Sequence, residues 1–289
     1  MDTSSLEVLD DKQNHSACRI RGNRTPQSQA MKSAATRPLS VRAKANQTVG
    51  RLNEYAITVV RNALHKRNLD IVRNPYWVTL VRTLGWLNID TILDVGANIG
   101  QYGSGIQASG FRGRIVSCEP LPDAFAQLEH RVARSPMWTA LNTAVGAENG
   151  TVEVNVSANS YSSSVLPVTN ATVDAAPKSR VVSSVMAQLT TVQQLVATQR
   201  IRPERTLLKV DTQGYEASVL EGAGDLLKEF AAIQLELSLV TLYEGQALFY
   251  ELDERLRNTG FELFSMEPGF CDPATGRLLQ CDGLYVRAD

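Results

Sequence analysis

The chain has 289 residues, 43% hydrophobic and 20% charged, and its 29 basic and 30 acidic side chains leave a net charge of -1. Such a composition belongs to a globular protein, and the near-neutral charge excludes one whose main task is to neutralise nucleic-acid phosphates. No apolar run approaches the roughly 18 residues a membrane-spanning helix needs, and Cys18, Cys118, Cys271 and Cys281 form no C-x-x-C pair, which removes zinc ribbons and thioredoxin-like centres and suits the cytoplasm.

The charge is uneven along the chain. Residues 1–50 contain no Phe, Trp or Tyr and carry eight Lys or Arg against four Asp or Glu, so the rest of the chain is acidic. With Pro26, Pro38 and few large apolar side chains, this stretch cannot offset its ordering entropy and is expected to be a disordered basic tail. Its Arg, Ser and Ala content faintly resembles a transit peptide, while Asp10 and Asp11 argue against a secretory signal. Residues 51–88 read as a helical preface. Leu52, Tyr55, Ala56, Val59, Val60, Ala63 and Leu64 have the spacing of an amphipathic helix that packs on a core, and after Pro75 a second helical pattern covers 76–86.

From residue 89 strand and helix patterns alternate. Strands are predicted at 91–96, 114–119 and 139–145, with helices running to Ser109 and from Pro122 through Arg134. These β-α-β steps predict a parallel sheet with helices on both faces and a ligand at the carboxyl ends of the strands. Residues 150–186 break the rhythm: 151–156 alternate with period two and 159–164 are polar, so a hairpin and surface loop are expected as an insertion. The winding resumes with a strand at 206–211, a helix at 216–230, a strand at 232–237 and a helix at 248–258. Strands at 261–264 and 283–287 then form a hairpin at the far edge.

The run Asp94-x-Gly96-Ala-Asn-Ile-Gly100 falls where the first strand turns into a helix, a place where glycines let backbone approach a ligand. Its G-x-x-x-G spacing is not the G-x-G-x-x-G of a dinucleotide turn, which disfavours a pyrophosphate. Glu119 closes the second strand, where an acidic side chain accepts both hydroxyls of a ribose. Adenosine without pyrophosphate is the implied ligand.

Over roughly residues 70–287 the sequence resembles S-adenosylmethionine-dependent methyltransferases of the FkbM family. The resemblance rests on Ile92-Leu-Asp-Val-Gly-Ala-Asn-Ile-Gly-Gln-Tyr102, Ser117-Cys-Glu-Pro-Leu121, Ser162-Ser-Ser-Val-Leu-Pro167, Leu208-Lys-Val-Asp-Thr-Gln-Gly-Tyr-Glu216, Gln234-Leu-Glu-Leu-Ser238 and Leu242-Tyr-Glu-Gly-Gln246. It implies a Rossmann-like seven-strand sheet, mostly parallel with a terminal antiparallel hairpin. It also implies that Asp94, Gly96, Asn98 and Gly100 surround the methionine part of the cofactor, Glu119 its ribose, and Asn142 and Ala144 its adenine. The family often has an acidic pair where Leu189-Thr-Thr191 stands; here Thr190 is the residue expected to cap the following helix.

Methyl transfer from a sulfonium needs alignment of nucleophile, methyl carbon and sulfur, and an alcohol acceptor also needs a base. His15, His65 and His130 fall on the tail and on helices rather than at strand ends. Asp211 and Glu236 end the fourth and fifth central strands and are the candidate catalytic pair, one of them with its proton affinity raised by burial. No further acidic cluster supports a metal between them. Gln213, Tyr215 and Tyr243 on adjoining loops, with Ser162 and Ser163 in the polar loop, are candidates for the acceptor side. The leading expectation is an O-methyltransferase acting on a free hydroxyl of a small molecule, a sugar preference coming from the resemblance alone. A polyketide hydroxyl, N- or C-methylation, and a cofactor-binding module without turnover are the alternatives. Nucleic acid is not an expected acceptor, and Leu284 and Tyr285 are open to a core or a homo-oligomer role.

Overall fold

The computed structural model describes residues 76–288; the expected tail and the 52–64 helix lie outside the described residues. Helix α1 (Tyr76–Trp86) buries Leu80, Thr83 and Leu84. Strand β1 (Thr91–Val95), helix α2 (Gln101–Ala108), strand β2 (Arg114–Cys118), helix α3 (Pro122–Val132) and strand β3 (Trp138–Leu141) follow in alternation. Strands β4 (Ala144–Val145), β5 (Gly150–Ser157) and β6 (Val181–Thr190), with helix α4 (Asn170–Ala175) between the last two, form the insertion. Helix α5 (Val192–Thr198), strand β7 (Thr206–Val210), helix α6 (Glu216–Glu221), strand β8 (Ala232–Ser238), helix α7 (Phe249–Asn258), strand β9 (Phe261–Pro268) and strand β10 (Gln280–Arg287) complete the chain.

Seven strands make one sheet in the order β3-β2-β1-β7-β8-β10-β9, and β4-β6-β5 make a second. Within the large sheet β10 alone runs against the direction of the other six strands. This is the expected mostly parallel sheet with a terminal hairpin, refined in one respect: β10 inserts beside β8 and leaves β9 at the edge. Every residue of β1 and β7 is buried, as befits central strands covered on both faces. On one face Ile92, Ile115 and Leu207 pack with Leu80, Leu84, Ile106 and Leu128 from α1, α2 and α3. On the other, Leu93, Val116 and Leu208 pack with Val192, Leu195, Val219, Leu220, Leu252 and Leu256 from α5, α6 and α7.

Several boundaries differ from the sequence reading, β9 running on to Pro268 and β10 beginning at Gln280 among them. The strand predicted at 139–145 is divided, β3 ending at Leu141 and β4 pairing instead with β6. Between them the Asn142 amide donates to the carbonyls of Glu119 and Pro120, at 2.8 and 3.2 Å, and turns the chain out of the large sheet. The return strand of the hairpin runs on to Thr190, because Val185, Ala187 and Leu189 bury against Val152, Val154 and Ala144. The helix predicted at 216–230 stops at Glu221 and continues after Gly224 as a 3₁₀ segment. A side chain at Gly222 would meet the Gly146 carbonyl oxygen at 2.0 Å, so the helix breaks where two backbones touch. The cap of α5 is Thr191, whose hydroxyl accepts from the Gln194 N–H at 3.1 Å; Thr190, the expected cap, ends β6.

Candidate active site

The strand order reverses between β1 and β7, and a crevice opens there at the carboxyl ends of the strands. The two strand ends approach so closely that a Cβ on Gly96 (φ 77) would lie 1.8 Å from the Asp211 carbonyl oxygen. Beyond them is a cavity of about 220 Å³, far more than the roughly 10–15 Å³ one water needs. Gly96, Asn98, Glu119, Ala144, Ser163, Asp211, Gln213, Tyr215 and Glu236 all face it, together with Thr143, Ser160 and Tyr161. The topology thus brings nine of the candidate residues to one space.

At the glycine end, Asn98 holds a left-handed backbone (φ 48) and its N–H donates to Glu119 Oε2 at 2.8 Å. The Leu121 N–H donates to Oε1 at 2.9 Å, so two backbone donors orient the carboxylate at the end of β2. Burial raises Glu119 to about 7, although these donors and the Lys209 ammonium pull the other way.

At the β7 and β8 end, Asp211 and Glu236 are joined through Gln213. The Gln213 amide donates to Asp211 Oδ1 at 3.0 Å and to Glu236 Oε2 at 2.6 Å, and the Tyr243 hydroxyl donates to Gln213 Oε1 at 2.8 Å. Gln280 adds a second donor to Glu236 Oε2 at 2.9 Å. Burial, reinforced by Asp211, Glu216 and Asp282, lifts Glu236 well above the carboxylate range, while Lys209 opposes the lift. The turn carrying Gln213 (φ 56) and Gly214 (φ 97) is pinned by Glu216, whose Oε1 accepts from the N–H groups of Thr212 and Gly214 at 2.8 and 3.2 Å.

The other candidates support these walls from behind. Asp94 is fully buried: Ser117 Oγ donates to its Oδ2 at 2.8 Å, and the Lys209 ammonium lies 3.1 Å from its Oδ1. Gly100 (φ 87) begins α2, where a Cβ would press on Leu128 and Trp138. Asn142 gives its amide to backbone carbonyls. The Ser162 carbonyl accepts from Ser157 Oγ at 3.0 Å, and the neighbouring Ser163, itself on the cavity wall, accepts from the Ser157 N–H at 3.0 Å through its hydroxyl. Tyr243 is buried behind Gln213. The loop at 160–164 roofs the cavity, with Ser160 Oγ 3.3 Å from Asn98 Oδ1 and Ser164 Oγ donating to the Gln213 carbonyl at 2.7 Å.

One buried row holds a single sequence candidate, Asp94, and three residues that were not candidates. Ser117, Asp94, Lys209 and Gln234 stand beside one another across β2, β1, β7 and β8. Trp138 donates to Ser117 at 3.0 Å, and Tyr102 donates to Gln234 at 2.7 Å. Lys209 lies 3.5 Å from Asp211, 3.2 Å from the Gly96 carbonyl and 5.2 Å from the centre of the Tyr102 ring. Burial alone would lower its proton affinity, but Asp94 and Asp211 reverse that and keep it charged. The only sequence sign of this row is a polar residue inside each of several otherwise apolar runs.

Among the described residues no Lys, Arg or His faces the cavity, whereas three carboxyl groups do. Its electrostatics therefore favour a cationic ligand that also offers hydroxyls to Glu119. Among the described residues no group of three His, Cys, Asp or Glu is arranged to hold a metal, and no helix is long and apolar enough to cross a membrane.

The family model described as the methyltransferase FkbM domain matches residues 94–263. No curated protein matches the chain. Among solved structures, a Burkholderia thailandensis 1,6-didemethyltoxoflavin-N1-methyltransferase, with 1,6-didemethyltoxoflavin and S-adenosylhomocysteine bound, is 11% identical with a TM-score of 0.38, over 88% of this chain and 94% of that one. A magnesium protoporphyrin IX methyltransferase from Synechocystis PCC 6803 with bound SAM is 10% identical with a TM-score of 0.38, over 80% and 96%. An rRNA methylase from Streptococcus thermophilus is 8% identical with a TM-score of 0.40, over 76% and 99%.

Proposed function

Because the chain belongs to the FkbM methyltransferase family, we propose that it is an S-adenosylmethionine-dependent O-methyltransferase whose acceptor is a small molecule with a free hydroxyl, foremost a sugar residue of a glycolipid or secondary metabolite. The observation that carries the reading is Glu236: a carboxyl on the cavity wall, of raised proton affinity, whose Oε2 takes two amide donors while, among the described residues, no hydrogen bond falls on its Oε1. When bound, S-adenosylmethionine supplies a methyl group on a sulfonium, and the sulfur keeps the bonding electron pair as the acceptor oxygen takes the methyl. Glu236 takes the proton that this oxygen loses, and Asp211 beside it stabilises the positive charge that develops on the oxygen as the methyl arrives.

The cavity fits the cofactor's chemistry. Glu119 would hold the ribose hydroxyls, Gly96 and Asn98 the methionine part, and Ala144 with Thr143 the adenine edge. The three wall carboxylates suit a ligand carrying sulfonium and ammonium charges. Hydroxyls along the roof, from Ser160 and Tyr161, give an acceptor rich in hydroxyls its hydrogen-bond partners.

Glu236→Gln is expected to lower kcat by about 10²- to 10⁴-fold, the range of general-base catalysis, with little change in S-adenosylhomocysteine affinity by calorimetry. Undiminished turnover on a confirmed sugar acceptor would remove Glu236 from the chemistry. For Glu119, ribose hydroxyls donate to the ionised carboxylate. Affinity for S-adenosylhomocysteine should therefore level off above about pH 7 and weaken below it, approaching about tenfold per pH unit. The linked effect on stability has the opposite direction. The native state holds a proton that the unfolded chain releases, so this group's contribution is complete below its ordinary value of 4.5 and lost as the pH rises through about 7. Calorimetry across neutral pH reads the binding arm, and a flat profile would take Glu119 out of the cofactor site.

A further inference from the structure

We infer that Gln213 is a positioning residue for the proposed reaction, its side-chain amide holding Glu236 Oε2 to the protein so that Oε1 is the oxygen left for the acceptor. The inference rests on the reading of Glu236 as proton acceptor. Both Gln213 amide hydrogens are spent within the protein, one on Asp211 Oδ1 at 3.0 Å and one on Glu236 Oε2 at 2.6 Å. Its carbonyl oxygen is spent too, on the Tyr243 hydroxyl at 2.8 Å, and the two carboxyl groups fix which way the amide faces. Turned over, the amide would set its oxygen against two carboxyl groups. The side chain expected to bind the acceptor is therefore engaged entirely by the protein.

The backbone around Gln213 is equally constrained. Its φ of 56 lies in the left-handed region, Glu216 ties the flanking N–H groups, and its own carbonyl accepts from Ser164 Oγ in the cavity roof at 2.7 Å. Tyr243 reaches the same roof at the Ser162 carbonyl, 3.2 Å away. Gln213 thus links the roof to the carboxyl that receives the proton.

The charged and titratable groups around Glu236 are Asp211 and Lys209 on or just after β7, Glu216 on α6, and Asp282 and Cys281 on β10, with Tyr243 behind Gln213. Three of these are carboxyl groups that raise its proton affinity, and Lys209 is already shared by Asp94 and Asp211. Donors from Gln213 and Gln280 favour the ionised carboxylate against that surrounding charge. Removing the Gln213 donor must raise the proton affinity of Glu236.

The test uses the full chain with glutamate carboxyl carbons labelled, the Glu236 signal assigned by its absence in Glu236→Gln, and the pH titration followed by NMR without methyl donor. Gln213→Met removes the amide and keeps the side-chain length. The Glu236 midpoint is expected to rise by about one unit, a tenfold tighter hold on the proton. The ascending limb of the kcat–pH profile should move with it, while the S-adenosylhomocysteine dissociation constant stays within about twofold. Tyr243→Phe, which removes the hydroxyl that steadies the amide oxygen, should shift the midpoint the same way by less, and it serves if Gln213→Met does not fold. An unchanged midpoint in a folded variant overturns the inference. If Glu236→Gln remains fully active but the midpoint moves, the base assignment fails and the positioning contact stands.

Discussion

Replacing Lys209 by methionine is expected to destabilise the protein by about 3–5 kcal/mol, the cost of leaving a buried charge without its partner. The Lys209 side chain is 7% exposed and that of Asp94 0%, and they lie 3.1 Å apart. Methionine fills the space of the aliphatic stem, so the loss is electrostatic rather than a cavity. Asp94 would keep one donor, Ser117, and face Asp211 with no cation between them. Adding Asp94→Asn to Lys209→Met should recover most of the loss, because the neutral amide no longer needs a counter-charge and can still accept from Ser117. Urea unfolding of the two single variants and the double variant measures this. A single variant within about 1 kcal/mol of the parent would show that the pair contributes no more than an exposed one.

Gly96→Ala should be more severe still, abolishing folding or removing more than about 4 kcal/mol, with loss of S-adenosylhomocysteine binding. Two costs combine at this position. A left-handed backbone at φ 77 costs a residue with a Cβ about 1–2 kcal/mol. The larger cost is that the Cβ would stand 1.8 Å from the Asp211 carbonyl oxygen and 2.8 Å from its carbon, backbone atoms that move only if β1 and β7 separate. Gly245→Ala isolates the first cost, since Gly245 has a similar φ of 75 and nothing within 4 Å of the added carbon. Thermal and urea unfolding of the two variants should differ by at least about 2 kcal/mol. Equal losses would mean that backbone conformation alone requires glycine at 96.

Much of the architecture was legible because central parallel strands are apolar on both faces. Runs such as Thr91–Val95 and Thr206–Val210 announce themselves by composition, and the helices between them by period and by Pro122 at a helix start. The boundaries that went astray were set by contacts from elsewhere in the chain. Asn142 diverts a strand by bonding to the carbonyls of Glu119 and Pro120, and Gly222 ends a helix by lying against Gly146, neither of which is a local property.

The site divides in the same way. Asp211, Glu236, Glu119 and the Gly96 turn were readable because a strand's carboxyl end in a parallel sheet is a fixed place, whatever the loops around it do. Which residues face the cavity and which stand behind it was not readable. Asp94 and Gly96 are two positions apart, yet one is buried under α1 and α2 while the other borders the cavity. Gln213 and Tyr243 are 30 positions apart and share a hydrogen bond. Lys209 was overlooked because a lysine in a strand is ordinarily an edge or surface residue, and only the register of β1 against β7 sets it beside Asp94.

The sequence by itself determined the succession of strands and helices and the strand ends that carry chemical groups, since periodicity and composition act over a few neighbouring residues. Tertiary structure alone decided how charge is distributed among those groups. Proton affinities at Glu119 and Glu236, the retained charge on Lys209 and the orientation of the Gln213 amide depend on burial and on partners from other strands. Electrostatic interaction strengthens as water is excluded, and exclusion of water is a property of the assembled fold.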